Sequence, residues 1–265
     1  MRILLIDNTK ADSAHFTRLL EKRLSNLIGK TNVITCSTIQ EVVTSINDDA
    51  NSIDAAILSG STLNLSQPNR IEHMRKSLSA LLRLPNVPVL GICFGMQLIA
   101  MTYGGLVRRL NSGYAREAAI HVSADSVLFH GTPRQTFVTL SHQDYVEQAP
   151  VDFNVFSVYE GCVQVIESLR LLRFGVQFHP EKVADGATAC TLLNFCRFVQ
   201  EKIALPASLS DIDDSTRMRI VFIFRRCLDS DVRSQVVPFL DRNTVSRILC
   251  HHAQIWDRGH RSFNF

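Results

Sequence analysis

The chain has 265 residues, 46% of them hydrophobic and 20% charged, with a net charge of +3. That composition excludes a disordered or fibrous chain, and 28 Lys and Arg against 25 Asp and Glu leave no electrostatic footprint for nucleic acid or an anionic membrane. No window approaches the ~18 uninterrupted apolar residues of a transmembrane helix. The first seven residues hold a four-residue apolar run closed by Asp7, too short for a secretory signal, so a cytoplasmic protein is expected. The seven cysteines (36, 93, 162, 190, 196, 227, 250) include no Cys-x-x-Cys. They read as buried thiols with room for one nucleophile, not as a disulfide framework.

The first hundred residues alternate strands and helices. The run Ile3–Ile6 predicts a buried strand, and residues 15–27 carry Phe16, Leu19, Leu20, Leu24 and Leu27 on one helical stripe. Residues 32–36 read as a short strand, 39–46 as a helix and 53–58 as a strand that stops at Ser59-Gly60-Ser61. A helix over 71–84 leads through Pro85 and Pro88 to a strand over 89–92, and a helix over 95–103 ends at Gly104-Gly105. Strands separated by helices imply right-handed crossovers, hence an open, mostly parallel central sheet with helices on both faces, an α/β fold. From about residue 115 the pattern changes to short runs at 118–122, 126–129, 136–140, 155–159, 163–166 and 171–178, expected as strands added to that sheet or as a small second sheet. Residues 186–203 then form an amphipathic helix, and Pro206 marks a break. Residues 205–265 use only Arg for cations and only Asp for acids, and read as a C-terminal helical extension with an apolar centre at Ile220, Val221, Phe222 and Phe224. The domain boundary is therefore drawn at 204/205.

The sharpest local signal is Gly91-Ile92-Cys93-Phe94-Gly95, between an apolar strand and a helix. It is the Cys form of the Gly-x-nucleophile-x-Gly elbow, whose glycines permit a turn too tight for a Cβ. The turn lifts Cys93 to the carboxyl edge of the sheet, where open α/β folds bind ligands, and to a helix N-terminus, whose partial charge favours thiolate. A second signal is Gly175-Val176-Gln177-Phe178-His179-Pro180-Glu181. In extended backbone residues i and i+2 face one side, so Glu181 can accept from one imidazole nitrogen of His179 while the other faces a thiol. Nucleophile, base and orienter are then Cys93, His179 and Glu181. Cys250-His251-His252 lacks a distant second pair of ligands, and no metal or other cofactor is expected.

Four segments in order resemble the class I, or triad, glutamine amidotransferases: Leu58-Ser59-Gly60, Gly91 to Gln97, Ser141-His142-Gln143-Asp144, and Gly175 to Glu181. Among them the glutaminase part of GMP synthetase is most similar, over residues 1–203. The resemblance implies hydrolysis of the glutamine side-chain amide through a γ-glutamyl thioester, with ammonia released to a separate ATP-dependent synthetase subunit. It implies that backbone N–H groups of Phe94 and Gly60 form the oxyanion hole. It also implies that Gln97, Ser141, Gln143 and Asp144 bind the substrate, the 141–144 stretch chiefly through backbone groups. Neither nucleic acid nor membrane is implied as a partner.

The chain departs from the family pattern at three points. Ser-Gly-Gly-Pro of the family is Ser59-Gly60-Ser61-Thr62 here, and Ser-His-Gly-Asp is Ser141-His142-Gln143-Asp144. The Gly-rich phosphate loop of an ATP-pyrophosphatase domain is missing from the sequence, and the residues after 204 are too few for a synthetase domain. Two other readings stay beside the first: a stand-alone hydrolase of γ-glutamyl amides or peptides, adapted at Ser61 and Gln143, and a non-catalytic regulatory protein on the same fold.

Overall fold

The computed structural model describes residues 1–9, 15–29, 32–49, 53–66, 70–182 and 187–204. The expected C-terminal helical extension, with Cys250-His251-His252 inside it, lies outside the described residues. In chain order the elements are β1 (Ile3–Ile6), α1 (His15–Ile28), β2 (Val33–Cys36), α2 (Ile39–Asp49), β3 (Ala55–Leu58), α3 (Arg70–Arg83), β4 (Val89–Ile92) and α4 (Phe94–Thr102). There follow β5 (Leu106–His121), β6 (Gln135–Gln148), β7 (Asn154–Tyr159), β8 (Cys162–Ser168), β9 (Arg173–Val176) and α5 (Ala187–Ala204).

All the strands join one nine-stranded sheet of order β2-β1-β3-β4-β9-β8-β6-β5, with β7 pairing on β8. Neighbours from β2 to β9 run parallel, and β8, β6, β5 and β7 are added antiparallel. The mostly parallel sheet read from the sequence is thus the half built from β1 to β4 and β9. Among the described residues the later strands extend it and make no second sheet. Alternation along the strands sorts the core to two faces. Leu4, Ile6, Ala56 and Leu58 pack with Val42 and Ile46 of α2, Ala80 and Leu81 of α3, and Met96 and Ile99 of α4. Ile3, Leu5, Ala55 and Ile57, buried as completely, point to the other face. On that side α1 and α5 touch, and the Phe174 ring of β9 meets Phe195 and Phe198 of α5 edge-on at 5.8 and 4.9 Å.

The turn from β4 to α4 is closed tightly enough to dictate its residues. Cβ atoms essentially never come within 3.0 Å of another heavy atom, yet one placed on Gly91 would lie 2.4 Å from the Gly95 carbonyl carbon, and one on Gly95 would lie 2.3 Å from the Leu58 carbonyl oxygen. The helix therefore sits directly on β3 and β4. Between the two glycines Cys93 takes φ 50° and ψ −104°, a conformation rare for a side chain and held by its N–H bond to Val176 O at 2.8 Å. Residues 94 to 100 are all buried, because α4 is covered on its outer side by α3, β5 and β6.

One expected strand does not form. Residues 126–129 are apolar enough to read as a strand, but they make a buried turn around the Glu167 carboxylate of β8. Glu167 accepts from Ser126 Oγ at 2.6 Å and from the N–H groups of Val127 and Leu128 at 2.9 and 3.0 Å. A side chain supplies what a neighbouring strand would have supplied, so the run is apolar for burial and not for pairing.

Candidate active site

Parallel pairing of β4 with β9, in the register Gly91 to Gly175 and Ile92 to Val176, brings the two motif segments to the same sheet edge. Cys93 leaves β4 into the elbow. The chain leaves β9 through bends at 177 and 178 and a turn closed by Lys182 N–H to His179 O at 3.2 Å, so the extended backbone expected around Pro180 gives way to a turn that still brings Glu181 to His179. His179 is fixed at its backbone by an N–H bond to Thr139 O of β6 at 3.2 Å. Its Nδ1 lies 2.7 Å from Glu181 Oε1, both side chains being buried. The remaining nitrogen faces Cys93, to which the imidazole is hydrogen-bonded. Burial alone lowers the His179 pKa, but the adjoining Cys93 sulfur and Glu181 carboxylate outweigh it and push the value up to about 10. The imidazole thus stands between the Glu181 carboxylate and the Cys93 sulfur.

The loop after β3 closes the site from one side. A Cβ on Gly60 would stand 2.9 Å from His179 Cε1 and 3.6 Å from Cys93 Cβ, so the backbone itself lies against the imidazole and the nucleophile. Ser59 Oγ accepts from Asn8 N–H at 2.8 Å, and Ser61 Oγ donates to Asn8 O at 2.7 Å while accepting from Leu63 N–H at 3.1 Å. Ser61, which replaces a family glycine, thus ties the loop to the end of β1. Phe94 opens α4, so its N–H is one of the helix's unpaired first donors beside Cys93.

Strand β6 supplies the opposite wall. Ser141 O lies 3.9 Å from Cys93 Sγ. The Asp144 carboxylate accepts from Ser66 N–H and Ser66 Oγ, both at 2.7 Å. The Asp144 carbonyl accepts from Gln97 Nε2 at 2.7 Å and from His142 Nδ1 at 3.0 Å. Gln97 Nε2 also donates to Gln177 Oε1 at 3.1 Å, and Gln177 Nε2 stands 3.5 Å from Cys93 Sγ. Gln143 is exposed and turned to the surface side of β6, where its Oε1 accepts from Arg109 at 2.5 Å and from Asn64 at 3.4 Å.

Of the residues singled out in the sequence, Cys93, His179, Glu181, Gly60, Phe94, Gln97, Ser141 and Asp144 converge on this edge, and Gln143 borders it. The sequence reading gave no role to Gln177 or Ser66. Gln177 precedes His179 and Glu181 by two and four residues, but the bends at 177 and 178 and the turn at 180–182 break strand alternation, so only the fold places it beside Cys93. Ser66 reaches Asp144 across 78 residues, with no local signal. Among the described residues, no group of three His, Cys, Asp or Glu side chains is placed to hold a metal ion, and no helix is long and apolar enough to cross a membrane.

This edge of β4 and β9, with a thiol elbow facing a His-Glu pair, is the architecture of an amidotransferase. The chain belongs to the glutamine amidotransferase class-I family, whose model matches residues 4–197. Its sequence is 43% identical over 110 residues to the glutamine-hydrolyzing GMP synthase of Thermobifida fusca, a match covering 41% of this chain and 21% of that protein. It is 37% identical over 117 residues to a glutamine-hydrolyzing GMP synthase subunit of Pyrococcus abyssi, covering 44% of this chain and 62% of that protein. The chain thus spans about a fifth to three fifths of these relatives. A crystal structure of a protein assigned as a GMP synthase subunit from Thermoplasma acidophilum shares the fold, with TM-score 0.61 and 23% identity over 77% of this chain and 96% of that one. A glutamine amidotransferase structure from Thermotoga maritima is similar at TM-score 0.54 and 18% identity, over 84% and 93% of the two chains.

Proposed function

We propose that the chain hydrolyses the side-chain amide of glutamine and passes the ammonia to a separate ATP-dependent synthetase subunit. The observation that carries this reading is the line Glu181, His179, Cys93, two acceptors joined through one buried imidazole. Cys93 attacks the amide carbon as its thiolate, with its proton resident on His179. The C–N bond breaks as His179 gives that proton to the leaving nitrogen, which departs as ammonia. Water then attacks the γ-glutamyl thioester, His179 takes the water's proton, and glutamate leaves with the sulfur restored as thiolate. Glu181 holds the imidazole in orientation throughout. The N–H groups of Phe94 and Gly60 receive the developing oxyanion, a contribution of about 3 kcal/mol per donor in other hydrolases.

The substrate's amino-acid end fits the β6 wall. Gln97 has both N–H groups engaged by Asp144 O and Gln177 Oε1, so its own Oε1 is the atom left for a substrate donor. Backbone groups of residues 141–144 take the rest. A synthetase partner is supported by relatives whose glutamine-hydrolyzing part is named as one subunit of GMP synthase, as in Pyrococcus abyssi.

The test is ammonia release by the purified chain from glutamine, compared with cleavage of γ-glutamyl dipeptides. Glutamine is expected as the better substrate, Cys93→Ala abolishes turnover, and Glu181→Gln retains a fraction of it. An unchanged rate in Cys93→Ala would assign the chemistry elsewhere, and a preference for dipeptides would replace the ammonia-donor reading by that of a stand-alone hydrolase.

A further inference from the structure

The hydrogen bonds behind Cys93 have a polarity that can be worked out from one fixed point. A carbonyl oxygen only accepts, so the atom of the Gln97 amide facing Asp144 O at 2.7 Å is its nitrogen. The second N–H of that nitrogen points to the Gln177 amide at 3.1 Å, which must therefore present its oxygen. The Gln177 amide is then oriented by its neighbour, and the atom it turns to Cys93 Sγ, at 3.5 Å, is a donor. Both glutamines are buried, Gln177 completely, so water does not compete for these groups. The backbone of Gln177 is held as well, its N–H donating to Gln164 O at 2.9 Å.

We propose that Gln177 is a second hydrogen-bond partner of the nucleophile, donating its side-chain N–H to the Cys93 sulfur, and that Gln97 holds it in the donating orientation. The inference rests on the reading of Cys93 as the nucleophile. A donor aimed at sulfur favours thiolate over thiol, because a charged acceptor makes the stronger bond. It also fixes the sulfur's position. Gln97 thereby joins two tasks in one amide: its nitrogen orients Gln177, and its oxygen is left for the substrate.

The titratable groups around the sulfur are His179, with Glu181 behind it, and His142 and Asp144 on β6. The Gln177 side chain bonds Gln97 and Cys93 and none of these groups, so a change in the Cys93 titration on substituting Gln177 reports the amide. The experiment is the rate of Cys93 alkylation by iodoacetamide against pH, resolved by peptide mass spectrometry in the full chain. Gln177→Met keeps the length and removes the donor. Its alkylation midpoint is expected to rise by roughly one pH unit, the effect of losing one charge-assisted hydrogen bond, and kcat is expected to fall more than KM rises. Gln97→Met, which leaves Gln177 in place but unoriented, is expected to move the midpoint in the same direction by less. A folded Gln177→Met with the wild-type midpoint overturns the proposal, since a merely structural side chain lowers the melting temperature without moving that curve. If Gln177→Met does not fold, an unchanged midpoint in Gln97→Met overturns it. Failure of the functional reading appears separately, as an unmodified chain that alkylates normally yet releases no ammonia from glutamine.

Discussion

His142 engages one ring nitrogen with the Asp144 carbonyl at 3.0 Å and buries the other, Nε2, without a hydrogen-bond partner. The burial, reinforced by the nearby charge of His179 and opposed by the Asp144 carbonyl, lowers its pKa to about 4. Nδ1 donates to a carbonyl, so the neutral ring has its proton there and a lone pair on Nε2. The folded-state value lies below the ordinary value of 6.5. The stabilisation from keeping this ring neutral is therefore intact above pH 6.5 and is lost as the pH falls toward 4. Urea unfolding at pH 7 and at pH 4.5 checks this. The wild type is expected to lose more stability between the two than His142→Asn, which removes the titration, and equal losses would show that His142 does not carry the acid sensitivity. The residues around Cys93 differ in how far the sequence alone marks them. Cys93 is legible because a tight turn needs glycine, and His179 with Glu181 because a base and a carboxylate flank Pro180 within the span of one turn. Gln177 sits in the bend after β9, where no alternation marks it, and a glutamine has no titration or nucleophilicity to draw notice, so its meaning comes only with the sulfur 3.5 Å away.

At the scale of elements, the 126–129 turn shows what hydrophobicity can and cannot say. Val127, Leu128 and Phe129 are buried, as their apolarity requires, but their backbone is satisfied by Glu167 and not by a strand. The turn matters to the site through Phe129, whose ring meets Phe178 edge-on at 5.8 Å, next to His179. Glu167→Ala leaves two buried N–H groups and the Ser126 hydroxyl without that acceptor. At about 1–3 kcal/mol for each orphaned group, shared among groups that relax together, a loss of about 3 kcal/mol is expected. Thermal unfolding measures it, and a change within about 0.5 kcal/mol, the ordinary range of an exposed substitution, would mean that the carboxylate does not anchor the turn. The opposite error occurs in β5. Its first ten residues, from Leu106 on, include Arg108, Arg109, Asn111, Ser112 and Gly113 and are mostly exposed, so no apolar alternation marks them, and only the half-buried end near 118–122 was legible.

The described residues join a parallel half, whose inner strands are covered by helices, to an antiparallel half whose outer strands are half solvated. The four residues of β1, of β3, of β4 and of β9 are buried throughout, whereas most of β5 and β7 is not. The pairing that assembles the site, β4 with β9, joins segments some 80 residues apart in the chain and lies inside the parallel half. Cys93 and His179 therefore ride on the part of the sheet that opens only when the fold is lost, while β5 is an edge strand free to open locally. Native-state hydrogen exchange is expected to show this division. Amides of Leu90, Ile92, Phe174 and Val176 exchange only through global unfolding, with the same urea dependence as the loss of far-ultraviolet signal. Amides of residues 106–113 exchange through local openings that urea barely affects. Equal protection of the two sets would mean that the sheet opens as one unit, and that the nucleophile and its base are no better insulated than the outer ribbon.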